Sequence, residues 1–159
     1  MNWTYGPTDV LPSFAGSIEV DAESAPFWQG LAEGDIRVPQ CENCSTYRFP
    51  PGPYCLSCGS SMQRFITLTG RPRLFSWIVV NRSTHRSMPA PYVVAVLEYD
   101  EGVRLPAALH VPGGVDALTL GMPVVATVVQ GDPPFIAGRV PSPQDPDLDT
   151  RVIAASQDG

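Results

Sequence analysis

Four cysteines are the residues of this chain whose type and spacing most clearly indicate chemistry. They form two Cys-x-x-Cys pairs with ten residues between the pairs, and no cysteine is left over. Each pair can turn so that both sulfurs reach one ion, and four thiolates make the tetrahedral site that Zn²⁺ favours. We therefore predict one structural Zn²⁺ in a closed site that has no open position for catalysis. The predicted ligands are Cys41, Cys44, Cys55 and Cys58.

The redox state of these thiols decides between a metal site and two disulfide bonds. Residues 1–4 show neither a basic region nor a following apolar stretch, which is atypical of a secretory signal. We therefore expect a cytoplasmic protein whose cysteines stay reduced and available to a metal. Free thiols without a metal are a further alternative, and a rubredoxin-type iron centre, which uses similar turns, is an alternative to zinc.

A set of arginines around one predicted strand is the second group with a possible binding role. Arginine favours bidentate contact with phosphate or carboxylate groups, so we regard this set as candidate ligand-binding residues. An apolar strand of seven residues, at about 3.3 Å each, separates its two halves by roughly 20–25 Å. One phosphate can therefore be held by one half only, and we favour the later half, in the loop after the strand. Solvated charges at the rim of the fold are the alternative. The set is Arg71 and Arg73 before the strand, and Arg82, His85 and Arg86 after it.

Residues suited to catalysis are otherwise scarce. The chain has two histidines and no lysine, which excludes Schiff-base chemistry, and no free cysteine remains once a metal is bound. We therefore predict no catalytic residue. Ten basic residues against sixteen acidic ones give a net charge of −6, which disfavours non-specific binding to nucleic acid or to an anionic membrane. No apolar run is long enough to predict a membrane span.

The composition indicates a turn-rich, mainly β chain. Of the 159 residues, 18 are proline and 14 are glycine, which makes long helices improbable. One helix is expected near the start, because Ser24 suits an N-cap, Phe27 and Leu31 share a face, and Gly34 can end it. The predicted organisation is an extended arm at 1–20, a helix at 21–35, a metal-binding segment at 36–63, a β-barrel at 64–140 and a disordered tail at 141–159.

The predicted strands after residue 63 are short, closely spaced and joined by turns. Five or six strands with no helix between them favour a small closed or nearly closed antiparallel barrel of the OB-fold type. Several are apolar on both faces, so we expect the outside of the barrel to be covered as well. The helix, the arm or another protein could provide that cover.

The order of motifs along the chain resembles an acyl-CoA-associated family of zinc-ribbon/OB-fold proteins, long known as a domain of unknown function. The resemblance covers roughly residues 25–140. It implies an N-terminal helix, a rubredoxin-like zinc ribbon and a C-terminal OB-fold barrel. The motifs that carry it are Phe27–Leu31, the two cysteine pairs, Arg48–Pro51, Gly59, Phe75–Trp77, Pro91–Ala95 and Gly121–Val124. The family often has glycine after the second ribbon cysteine, where this chain has Ser45.

The resemblance also implies a role. Members of this family typically form stable complexes with thiolase-like enzymes, including acyl-CoA thiolases, side-chain aldolases of steroid breakdown and polyketide-type acyltransferases. We therefore expect a non-catalytic subunit that supports assembly and acyl-CoA binding in such a complex, which would degrade aromatic, steroid or fatty acyl-CoA compounds. The alternatives are a free-standing acyl-CoA-binding module and, less favoured because of the acidic charge, an OB-fold nucleic-acid binder.

Overall fold

The computed structural model describes residues 18–83 and 88–141, and this part of the chain is mainly β with one α-helix. Most of the predicted arm and tail, together with His85 and Arg86, lies outside the described residues. A single turn of 3₁₀-helix at Val115–Ala117 separates the fifth strand from the sixth. The elements are α1 Ala25–Ala32, β1 Arg37–Cys41, β2 Gln63–Thr67, β3 Arg73–Val80, β4 Tyr92–Glu98, β5 Arg104–His110, β6 Val125–Val129 and β7 Phe135–Arg139. No helix in the described ranges is long and apolar enough to cross a membrane.

Helix α1 lies where the sequence predicts it. Ser24 is the N-cap residue, although its side chain makes no capping hydrogen bond, and a glycine with φ of +89° follows the helix at position 34. Phe27 and Leu31 are buried on one face. The side-chain amide of Gln130 donates a hydrogen bond of 2.9 Å to the carbonyl oxygen of Leu31. The chain just after β6 therefore satisfies a backbone group in the last turn of α1, where intrahelical partners run out.

A two-stranded antiparallel sheet forms the base of the metal-binding segment. Strands β1 and β2 pair so that Cys41 lies opposite Gln63, and the N–H of Leu68 extends the pairing by donating to the carbonyl oxygen of Ile36. The guanidinium of Arg48 donates to the carbonyl oxygen of Gly52 and to the side chain of Gln63, which ties the loop between the cysteine pairs to β2. This sheet continues beyond residue 63, where the sequence places the boundary with the barrel; the boundary itself stays a prediction.

The second sheet contains five strands in the order β3-β4-β5-β7-β6. Its neighbours are antiparallel except β5 and β7, which run parallel with Ala108 opposite Ala137. This pair differs from the all-antiparallel arrangement expected from the sequence, because β6 comes between the two strands along the chain and takes the outer position. The N–H of Leu74 donates to the carbonyl oxygen of Met122, at 2.9 Å, so the start of β3 meets the segment that leads into β6, the other outer strand. The sheet is thus a nearly closed barrel.

One apolar core extends through both sheets and the helix. Leu74, Leu97 and Leu105 are completely buried, and Leu31 of α1 and Val38 of β1 join the same cluster. The expectation that several barrel strands are apolar on both faces agrees with this arrangement. One face fills the barrel, and part of the other lies under α1.

The linker between the two sheets is held by the hairpin that connects β4 and β5. The carboxylate of Glu101 accepts hydrogen bonds from the N–H groups of Thr69 and Gly70, at 2.9 and 2.7 Å. The carboxylate of Asp100 accepts one from the N–H of Arg71 at 3.0 Å. These two acidic residues, which the sequence indicates only as part of a turn, therefore fasten the linker to the barrel.

Candidate functional site

The four cysteine sulfurs lie close together, all within 4.8 Å of one another. The Sγ atoms of Cys41 and Cys58 are 3.6 Å apart, and those of Cys44 and Cys55 are 3.5 Å apart. A tetrahedral Zn²⁺ with bonds of about 2.3 Å places its sulfur ligands roughly 3.8 Å apart, so the four thiols fit one such ion. Among the described residues this is the one cluster with a donor set suited to a metal.

The two cysteine turns share one backbone geometry. The N–H of Ser45 donates to the carbonyl oxygen of Cys41 at 2.9 Å, and the N–H of Gly59 donates to that of Cys55 at 2.8 Å. Both donors have positive φ, 60° at Ser45 and 74° at Gly59, in the left-handed region that glycine adopts without steric cost. The serine that departs from the family pattern therefore occupies the same conformation as the glycine of the second turn.

Hydrogen bonds favour the thiolate form of three of the cysteines. Backbone hydrogen bonds from Ser57 and Cys58 lower the pKa of Cys55. The hydroxyl of Thr46 lies 3.3 Å from the sulfur of Cys44, and this hydrogen bond lowers the pKa of that thiol. A hydrogen bond from the side chain of Asn43 lowers the pKa of Cys58. The thiolate is the form that binds metal, so these hydrogen bonds favour loading of the site. Sequence reasoning did not single out Thr46 or Asn43, because only their places beside the cysteines mark them.

The structure places the candidate arginines at the two ends of β3. Arg73 begins the strand and donates a hydrogen bond of 3.3 Å from its guanidinium to the carbonyl oxygen of Gly121. Arg71 lies in the linker that the acidic hairpin holds. Arg82 is exposed in the segment that follows the strand. Since β3 has eight residues at about 3.3 Å each, its two ends are separated by roughly 20–25 Å, and no described contact joins the two groups.

An apolar cavity of about 240 Å³ lies between α1 and the outer face of the barrel. Sequence reasoning missed this cavity, although the strands with two apolar faces were its visible signal. Its described walls come from helix α1, the loop between the cysteine pairs, strands β4, β5 and β7, the loop between β6 and β7, and the start of the described chain. The wall residues are Ile18, Phe27, Trp28, Leu31, Phe49, Tyr92, Val94, Pro106, Ala107, Ala108, Pro133, Pro134, Phe135 and Ile136.

Comparison with known proteins accounts for this combination of elements. Residues 28–63 match the family model described as the ChsH2 rubredoxin-like zinc ribbon domain, and residues 66–130 match the ChsH2 C-terminal OB-fold domain. A solved chain described as "Ltp2-ChsH2(DUF35) aldolase" superimposes with a TM-score of 0.68 and 32% identity. That match covers 76% of this chain and 96% of the other. The chain belongs to the DUF35 family of zinc-ribbon and OB-fold proteins. The zinc ribbon and the OB-fold barrel predicted from the sequence are thereby confirmed.

Two curated relatives of this DUF35 chain are named as subunits of hydratases. A probable enoyl-CoA hydratase alpha subunit of Thermomonospora curvata is 33% identical over 114 residues, which are 72% of this chain and 35% of the relative. The 3-oxo-4,17-pregnadiene-20-carboxyl-CoA hydratase alpha subunit of Mycobacterium tuberculosis is 29% identical over 125 residues, which are 77% of this chain and 39% of the relative. The chain thus spans well under half the length of both proteins.

Proposed function

We propose that this chain is a non-catalytic subunit of a complex that acts on acyl-CoA thioesters, with a thiolase-fold enzyme as its partner. The similarity to the Ltp2-ChsH2(DUF35) aldolase chain carries this proposal, because it extends over 96% of that chain at 32% identity. The curated relatives support the choice of substrate class, since both are named for reactions of CoA compounds. The compounds proposed are aromatic, steroid or fatty acyl-CoA thioesters, and the proposed compartment is the cytoplasm, where thiols stay reduced.

The geometry of the metal site supports a structural rather than a catalytic role. Four protein sulfurs fill a tetrahedral Zn²⁺, and no position is left for water or substrate. The metal therefore contributes folding free energy to the ribbon, and the proposed reaction takes place on the partner enzyme.

Arg82 is the residue of this chain that we propose to contact the phosphates of CoA. It is exposed at the end of β3, and the proposed contact region includes the neighbouring His85 and Arg86. Arg71 and Arg73 stand at the other end of the strand, where Arg73 already binds the carbonyl oxygen of Gly121. We propose that these two arginines help to attach the linker to the barrel and form part of the surface that faces the partner.

Co-expression tests the subunit role. The chain is produced alone and together with each enzyme subunit encoded beside it, and the products are compared by size-exclusion chromatography and by turnover of CoA thioesters. We expect the chain to elute with a thiolase-fold protein and to show no turnover alone. Turnover by the isolated chain that survives repurification, or elution apart from every such subunit, contradicts the proposal.

Calorimetric titration of the complex tests the role of Arg82. A charge-assisted hydrogen bond is worth about 1.5–3 kcal/mol, so Arg82→Ala should weaken binding of a CoA ester about 10- to 150-fold. Arg64→Ala is the matched control, because Arg64 is an exposed arginine of the ribbon that contacts the side chain of Gln40. Equal affinities of the two variants at the same salt concentration would show that Arg82 is a solvated surface charge.

A further inference from the structure

Three large apolar side chains project into solvent around the second cysteine turn. Leu56, which lies between the two metal-binding cysteines of that turn, is 97% exposed, and Tyr54 and Met62 are 62% and 61% exposed. Residues 49–62 include no acidic residue, arginine, lysine or histidine. We call the side chains of Tyr54, Leu56 and Met62 the apolar tip of the ribbon.

Hydrogen bonds hold the apolar tip within one short loop. The N–H of Cys55 donates to the carbonyl oxygen of Ser60 at 2.8 Å, and the N–H of Met62 donates to the hydroxyl of Ser60 at 3.1 Å. Tyr54 precedes the residues joined by these bonds, and Leu56 lies in the turn that they close. One partner surface can therefore contact all three side chains.

The geometry of the cysteine turn does not require leucine at position 56. The first turn has the same backbone hydrogen bond and the same left-handed conformation after its second cysteine. At the position equivalent to Leu56 it carries Glu42, which is exposed and charged. Single apolar residues on a surface are common, but a group of them marks an interaction site. The apolar tip therefore indicates a contact with another molecule.

The metal site holds the apolar tip in place before any partner arrives. Cys55 and Cys58, two of the four zinc ligands, flank Leu56. The backbone N–H groups of Ser57 and Cys58 also bond to the sulfur of Cys55, which restrains the chain directly after Leu56. A side chain on a restrained backbone loses less conformational entropy on binding, so the tip suits a tight contact.

Charge and area indicate which molecule binds the tip. Zn²⁺ with four thiolates has a net charge of about −2, and Glu42 in the first turn adds a further negative charge. A second copy that met this one tip to tip would bring these like charges together. Three side chains of this size also offer only roughly 300–400 Å², about half of what one partner buries in a stable interface. The tip thus fits a pocket within a larger interface with a different protein.

We propose that the apolar tip inserts into an apolar pocket on the enzyme subunit of the complex, with Leu56 as its most deeply buried residue. The negative charge of the loaded site fits a pocket whose rim is neutral or basic. This inference rests on the proposed function, and it names the surface of the ribbon through which the chain binds its partner.

Calorimetric titration of the purified enzyme subunit with the full zinc-loaded chain tests the inference. Burial of a leucine side chain corresponds to about a 10- to 100-fold change in an equilibrium constant, so Leu56→Ala should weaken binding by that factor. Leu56→Met, which keeps an apolar side chain of similar volume, should restore most of the affinity. Ile78→Ala is the matched control, because Ile78 is an aliphatic residue on β3 that is 62% exposed, and its affinity should stay within about twofold. Each variant should bind zinc as tightly as the original chain.

The outcomes separate this inference from the proposed function. If the unsubstituted chain binds the enzyme subunit and Leu56→Ala binds it as tightly as Ile78→Ala does, the inference alone is wrong. If the unsubstituted chain binds no enzyme subunit, the proposed function fails and the inference with it. Sedimentation of the chain alone identifies the other occupant: a dimer that Leu56→Ala converts to a monomer would assign the tip to a second copy and overturn the inference.

Discussion

Replacing Gly59 by alanine should weaken zinc binding about fivefold, although the added methyl group would touch nothing. Gly59 has φ of +74°, and no atom lies within 4 Å of the place where its Cβ would be. The cost is therefore the backbone strain alone, about 1–2 kcal/mol for a residue with a side chain in this region. Reduced freedom of the unfolded chain offsets about 0.4–1 kcal/mol of it. The remaining ~1 kcal/mol changes the zinc dissociation constant about fivefold, because binding and folding of the ribbon are coupled.

Competition with a chromophoric chelator under reducing conditions measures this change. Gly52→Ala is the control, since Gly52 also has open space around its Cβ position but no positive φ. With no strain to offset it, the reduced freedom of the unfolded chain should make this variant bind zinc about two- to fivefold more tightly. Ser45→Gly should act in the direction opposite to Gly59→Ala, because it removes the side chain from a residue with φ of 60°. Equal effects of Gly59→Ala and Gly52→Ala would refute the reasoning, as would a Ser45→Gly variant that binds zinc more weakly.

Three further predictions concern stability. Gly138→Ala should lower the free energy of unfolding by about 1–3 kcal/mol, because the added Cβ would lie 2.8 Å from a methyl group of Val124 in the packed barrel. Urea unfolding measures this change, and an unchanged unfolding midpoint would contradict the prediction. Burial, aided by the nearby charge of Glu101, raises the pKa of Tyr99 above its ordinary value. The folded phenol thus stays neutral while the unfolded one ionises near pH 10, so stability should fall as pH rises above about 10, and less so in Tyr99→Phe. Excess chelator should abolish hydrogen-exchange protection between β1 and β2, and retained protection would argue against a metal-dependent ribbon.

The sequence is most informative where the interactions are local. The zinc ligands were predictable because each Cys-x-x-Cys turn is set by a few consecutive residues, and the hairpin at Asp100–Gly102 was predictable for the same reason. The parallel pairing of β5 with β7 was not predictable from the sequence, because it depends on where β6 lies in the sheet. Apolar runs identify strands, but they do not determine which strands become neighbours.

The other features that the sequence did not predict depend on contacts between residues that are far apart along the chain. Nothing near Glu101 in sequence shows that its carboxylate binds N–H groups some thirty residues earlier. The arginines that flank β3 looked like one group in the sequence, yet the length of the strand separates Arg73 from Arg82. The cavity needed the positions of α1 and three barrel strands, which no single segment encodes.

The hold of the acidic hairpin on the linker has a mechanical consequence. A linker with free backbone groups would act as a hinge, and the ribbon would swing against the barrel. Here Glu101 and Asp100 restrain three consecutive N–H groups, at Thr69, Gly70 and Arg71. These hydrogen bonds restrain the orientation of the ribbon relative to the barrel. A partner that binds either the ribbon or the barrel therefore also restricts the orientation of the other part, at little further cost in conformational entropy.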